Sequence, residues 1–155
     1  MAIPLRKPNE IDKLRIANIA VAKTLNYLKT TVKAGMTLKQ VDEMGEKFLR
    51  DLGARPSFKG LYGFPAAICT SLNEVIIHGI PTDVVLKEGD ILGIDIGSEI
   101  DGWYGDSAIT MPIGKISKED EALIACAKDS LYYAIDVIKE GMRVKELSKL
   151  IEDFI

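Results

Sequence analysis

The sequence predicts an α+β fold, with helices near both ends of the chain and antiparallel hairpins between them. Apolar residues recur at steps of three and four from about Asn9 to Lys33, as on one face of a helix. Short β-branched runs with turn signals fill the middle of the chain. A second pair of amphipathic helices follows, from about residue 117 to the end.

Composition agrees with one soluble domain and excludes several classes of partner. The chain has 155 residues, of which 47% are apolar, and a net charge of −3. It shows neither a basic surface for nucleic acid nor the ~20 apolar residues of a membrane span. Cys69 and Cys126 have no metal-like or redox spacing. A reducing cytoplasm is the simplest location.

Capping signals and turns define the individual elements. Gly35 ends the first helix, and Thr37 with Gln40 forms a capping box that opens the second. A first hairpin is expected from Ala66–Thr70 and Glu74–His78, and a second from Asp90–Glu99 and Trp103–Pro112. A long helix should begin at Ser117 and run to about Lys139, and a last helix should follow Gly141.

The two helix pairs resemble each other. Leu25–Phe48 and Leu131–Phe154 match at several positions with one constant shift of 106 residues. Chance similarity of amphipathic helices is one explanation. The other explanation is duplication of a helix–helix–hairpin–hairpin unit, because a Gly-Met pair also lies between the two helices of each pair. A duplicated unit would leave the second copy without its hairpins, and we then expect the chain to be the front part of a larger protein.

Two aspartates are predicted to share one face of the second hairpin. Asp101-Gly102 is a strong signal for a two-residue turn. That turn pairs Gly97 with Asp106, and Asp95 lies on the same face as Gly97. A cation between two converging carboxylates would offset their repulsion and lost hydration. The alternative is that Asp106 caps a turn and Asp95 pairs with a lysine.

The only histidine, His78, follows an apolar run and precedes Gly-Ile-Pro. A lone histidine is more often a satisfied structural residue than a catalytic one. With two carboxylates and one histidine, spacing alone indicates half of a metal site.

Three stretches give the chain a specific resemblance: "GFPAAICTSLNEVIIHGIP" (63–81), "LKEGDILGIDIGSEIDGWYGDSAIT" (86–110) and "IDKLRIANIAVAKTL" (11–25). The chain resembles the short bacterial type I methionine aminopeptidases over essentially its whole length. The resemblance implies the pita-bread fold, a pseudo-two-fold repeat of helices and antiparallel hairpins. It also implies one such domain over 1–155, incomplete, with a first repeat at about 8–112 and the helices of the second at about 117–155.

The resemblance assigns roles to six residues. Asp95 and Asp106 match the family's two aspartate metal ligands, and His78 matches a histidine that contacts substrate and assists at the scissile peptide. Cys69 and Phe64 match positions that line the family's pocket for the methionine side chain, and Tyr62 lies nearby. Ordinary core packing is the alternative role for these residues.

The resemblance further implies two divalent ions (Co, Mn, Fe or Zn), nascent polypeptides with an N-terminal methionine as substrates, and a cytoplasmic, monomeric complete enzyme. Contact with the ribosome is open; no direct nucleic-acid or membrane partner is expected. The family's other ligands, one histidine and two glutamates, match nothing here, so we expect partial or no metal and no activity from this chain alone. The alternatives are a non-catalytic pita-bread interaction fragment and an aminopeptidase P or prolidase-like peptidase.

Overall fold

A computed structural model describes residues 4–155, which divide into two compact units: one ends at Lys115 and the other covers Ile116–Ile155. The first unit holds helices α1 (Pro8–Thr31) and α2 (Leu38–Asp51) and four strands. The strands are β1 (Arg55–Pro56), β2 (Ile68–Leu72), β3 (Ile91–Ile100) and β4 (Trp103–Pro112). The single domain over 1–155 that the resemblance implies stays a prediction.

Helix α2 begins where its predicted capping box places it. Thr37 Oγ1 accepts the backbone N–H of Gln40 at 3.2 Å, and the Gln40 side chain accepts the N–H of Thr37 at 2.8 Å. The predicted capping box is therefore confirmed. The turn before it contains Gly35 at φ +92°, a conformation that favours glycine. The helix pair and the sheet bury one apolar core; its largest fully buried side chains include Leu28 and Leu49.

The second hairpin is confirmed, including its register. β3 pairs antiparallel with β4, with Ile100 opposite Trp103 and Gly97 opposite Asp106. Asp101 and Gly102 both have positive φ, at +52° and +80°, as a turn that follows the twist of the strands requires.

The prediction of a first hairpin is wrong. Residues 74–78 form no strand, and β2 pairs with β3 instead, with Ile68 opposite Ile96. Asn73 has φ +50°, which directs the chain away from the sheet, and its side chain accepts the N–H of Ile91 at 3.0 Å. The chain returns to the edge of β2 at Gly79, whose carbonyl accepts the N–H of Thr70 at 2.8 Å. His78 therefore lies in a loop and not at the end of a strand.

The second unit consists of α3 (Lys118–Val137) and α4 (Val144–Phe154). Ser117 caps α3 by accepting the N–H of Asp120 at 3.1 Å, so the predicted start is confirmed. The turn between the helices contains Gly141 at φ +83°.

The repeat seen in the sequence has a structural counterpart. In the first unit, the rings of Tyr27 and Phe48 stack with their centroids 4.3 Å apart. In the second, the rings of Tyr133 and Phe154 stack at 4.8 Å. Each residue of the second pair is its counterpart in the first shifted by 106 positions. Chance similarity of composition does not require the same aromatic stack between both helix pairs, so the structure favours duplication.

Candidate metal and substrate site

The two aspartates lie on one face of the β3–β4 hairpin. Asp95 is opposite Ala108 on β4 and opposite Cys69 on β2, whereas Asp106 is opposite Gly97. Residues 95 and 97 share a face of β3, so Asp95 and Asp106 are diagonal neighbours. Both line a cavity of about 570 Å³. The predicted register is confirmed, and the metal-binding role of the two residues stays a prediction.

The electrostatics of this face favour a bound cation. Burial raises the pKa of the Asp95 carboxyl, the negative charge of Asp106 raises it further, and the charge of His78 opposes the shift. A divalent ion between the two carboxylates would remove both penalties. Carboxylate oxygens are suitable ligands for such an ion, but these two residues supply only part of a ligand set. Within residues 4–155, no group of three His, Cys, Asp or Glu side chains converges to hold a metal.

The thiol of Cys69 forms an uncharged part of the cavity wall. Cys69 is buried, with 4% of its surface exposed. Burial and, next, the charge of Asp95 raise the pKa of the thiol to about 11. A neutral thiol is neither a strong nucleophile nor a good metal ligand. It instead gives the wall a soft, polarizable surface.

The other predicted site residues line the same cavity. Phe64 is half-buried, His78 is exposed and Tyr62 is fully exposed. Tyr62 lies in a short 3₁₀ turn, Leu61–Gly63, with φ +49°. The structure therefore brings Cys69, Phe64, Tyr62 and His78 to one cavity with the two aspartates. None of their assigned roles follows from this placement alone.

Phe58 also lines the cavity and was missed from the sequence. A Cβ on Gly97 would lie 2.5 Å from the Phe58 ring and 2.1 Å from Ser57 Oγ. The segment of Ser57 and Phe58 therefore lies close against the β3–β4 hairpin beside the aspartates. Ser57 N–H donates to the Gly97 carbonyl at 3.0 Å. A glycine inside an apolar strand often marks such an approach, so Gly97 was the available signal.

Helix α1 supports the site from the other face of the hairpin. Ser98 Oγ donates to the Ala17 carbonyl at 2.9 Å, and Asp106 N–H donates to Asn18 Oδ1 at 3.4 Å. A Cβ on Gly105 would lie 2.6 Å from backbone atoms of α1. The helix therefore rests directly on the strand that carries Asp106.

Asp42 on α2 fixes the start of β2. Its Oδ1 accepts the N–H groups of Ala67 and Ile68, each at 2.9 Å. Burial raises the pKa of this carboxyl, and the two backbone N–H groups oppose the shift. Cys69 follows directly, so its place in the cavity wall depends on this contact between α2 and β2. The sequence alone gave no signal for it.

Comparison with known proteins identifies the family. The model of metallopeptidase family M24 matches residues 12–155. The chain belongs to this family. M24 enzymes are metallopeptidases, which agrees with a carboxylate pair facing a cavity.

Relatives in the M24 family include methionine aminopeptidases. The chain is 55% identical, over its full length, to the methionine aminopeptidase of Helicobacter pylori (strain ATCC 700392 / 26695), and it spans 61% of that protein. The crystal structure of methionine aminopeptidase from Thermotoga maritima superposes with a TM-score of 0.96 at 34% identity, covering 99% of this chain and 62% of that one. The predicted pita-bread α+β fold is thus confirmed.

A more distant M24 structure shows the same fold only. The X-Pro aminopeptidase of Thermotoga maritima superposes with a TM-score of 0.84 at 22% identity, covering 97% of this chain and 41% of that one. The chain spans less than two thirds of each of these three proteins.

Proposed function

We propose that this chain contributes to a methionine aminopeptidase that removes the initiator methionine from nascent proteins by dinuclear-metal peptide hydrolysis. The observation that carries the proposal is the carboxylate pair, Asp95 and Asp106, which lines one cavity together with Cys69 and Phe64. A thiol and an aromatic ring suit the thioether of methionine. The methionine aminopeptidase relatives support the same substrate.

Each site residue of the chain would have its own role in this reaction. Asp95 and Asp106 would hold part of a site for two divalent ions, which would supply a Lewis acid and an activated water when bound. His78 would donate a hydrogen bond to the substrate near the scissile peptide and stabilise developing negative charge. Cys69, Phe64 and Tyr62 would exclude water around the methionine side chain.

We further propose the metal, the substrate preference and the setting of the complete enzyme. The ions would be Co, Mn, Fe or Zn, because mixed carboxylate and imidazole ligands suit each of these. The substrate would carry a small residue after its N-terminal methionine. The complete enzyme would act as a cytoplasmic monomer, with contact with the ribosome left open. Within residues 4–155, no helix is long and apolar enough to cross a membrane.

A second candidate is a non-catalytic pita-bread fragment that binds other molecules. It is favoured by one observation, the absence of a third converging metal ligand among the described residues. The two candidates differ in what happens when the remaining ligands are supplied. An aminopeptidase would gain turnover, and an interaction fragment would not.

The test is hydrolysis of Met-Ala-Ser with Co²⁺ or Mn²⁺, by the chain alone and by the chain mixed with the unmatched part of the Helicobacter pylori relative. We expect turnover only from the mixture, and none with Leu-Ala-Ser. His78→Ala should lower turnover strongly and leave metal content unchanged. A mixture that forms a stable complex, binds metal and still leaves Met-Ala-Ser intact would favour the interaction fragment.

A further inference from the structure

We propose that Ser71 is a positioning residue for His78, acting through the backbone of Gly79. The inference rests on the role proposed above for His78 at the substrate. It adds a residue of β2 that touches neither metal nor substrate and that fixes where the imidazole meets the cavity.

Two hydrogen bonds hold Gly79, the residue directly after His78. Gly79 N–H donates to Ser71 Oγ at 3.2 Å. Thr70 N–H donates to the Gly79 carbonyl at 2.8 Å. Since β3 occupies the other edge of β2, Gly79 binds the free edge like a strand of one residue. Both polar groups of its backbone are thereby paired with β2.

The contact leaves no room for a side chain at position 79. A Cβ on Gly79 would lie 2.2 Å from the Thr70 carbonyl oxygen and 3.0 Å from Ser71 Cα. His78 itself has φ +58°, a left-handed conformation that is uncommon for a residue with a side chain. Such conformations persist where the surroundings determine them. The bonds to Gly79 are the nearest such determinant.

The rest of the loop offers little support of its own. Residues 74–78 are exposed. At its far end, the loop is held by Asn73, whose N–H donates to the Ile91 carbonyl at 3.0 Å, and by Val75, whose N–H donates to the Leu72 carbonyl at 3.0 Å. The anchor next to the imidazole is therefore the one formed by Ser71 and Thr70. Without the Ser71 hydroxyl, Gly79 N–H loses its acceptor and His78 gains freedom of motion.

The test uses NMR, because His78 is the only histidine in the chain and its imidazole gives one unambiguous signal. Backbone order parameters of His78 and Gly79 are measured in the wild type, Ser71→Ala and Ser71→Thr. The matched control is Ser107→Ala, which removes an exposed serine of β4. We expect values near ~0.85 in the wild type and below ~0.6 in Ser71→Ala. A broadened or shifted imidazole signal should accompany this loss, and Ser71→Thr should retain the wild-type values.

Three results would overturn the proposal. They are unchanged order in Ser71→Ala, an equal loss of order in Ser107→Ala, and cooperative unfolding of the first unit in Ser71→Ala, reported by Trp103 fluorescence. The last would make the hydroxyl a general support of the fold. Failure of the proposed function is separate, because it would appear as a metal-loaded mixture with the Helicobacter pylori part that leaves Met-Ala-Ser intact. Failure of the role of His78 would appear as unchanged turnover by that mixture when the chain carries His78→Ala.

Discussion

Substitution of Gly105 by alanine should separate α1 from the strand that carries Asp106. The new Cβ would lie 2.6 Å from Ala17 C and from Asn18 N, and 2.7 Å from the Ala17 carbonyl oxygen. All three are backbone atoms of a helix and cannot rotate away. Ordinary contact begins at 3.4 Å, so α1 must move outward by about 0.8 Å relative to β4.

The cost can be estimated from the contacts that this shift affects. Overpacking of a close contact costs about 1–3 kcal/mol. Weakening the buried bond from Ser98 Oγ to the Ala17 carbonyl adds about 1 kcal/mol. Alanine also restricts the unfolded chain, which raises the free energy of unfolding by about 0.4–1 kcal/mol. Gly105→Ala should therefore lower the free energy of unfolding by about 1–4 kcal/mol.

Urea unfolding followed by tryptophan fluorescence measures this effect. Trp103 is the only tryptophan and lies on β4 two residues from Gly105, so the signal reports on the first unit. Gly93→Ala is the matched control, because a Cβ there would make only ordinary contacts at 3.4 Å or more. Equal unfolding free energies for Gly105→Ala and Gly93→Ala would refute the reasoning.

Three further predictions follow from other contacts. Asp42→Ala should lower the free energy of unfolding by about 2–4 kcal/mol, since it leaves two buried N–H groups without an acceptor, and Asp42→Asn should recover part of this in the same urea assay. Asp95→Asn should stabilise the metal-free chain at pH 7. The pKa of Asp95 is raised in the folded state, so its contribution to stability is present below its unfolded pKa and is lost as the pH rises. The stability that Asp95→Asn gains over the wild type should therefore shrink toward pH 4. Glu46 has a lowered pKa, caused first by its hydrogen bond from Lys59, so Glu46→Gln should cost stability near neutral pH and little at pH 3, by urea midpoints.

The elements set by local chemistry could be predicted from the sequence. Thr37 and Gln40 fixed the start of α2, and Asp101-Gly102 fixed the register of the second hairpin and so the shared face of the aspartates. The strand expected at 74–78 failed because β-branched residues favour a strand locally, whereas Asn73 pairs with the start of β3 and turns the chain outward. Asp42 acts only through long-range contacts, so no local pattern revealed it.

The most direct test of the account is a titration of the chain with Mn²⁺, followed by electron paramagnetic resonance of the free ion. Asp95 and Asp106 are the only two ligands that we propose in this chain. We therefore predict weak binding, with a Kd on the order of 10⁻³ M, that is lost in Asp106→Asn and unchanged in His78→Ala. Tight binding of two ions by the wild-type chain, or binding that survives in Asp106→Asn, would contradict it.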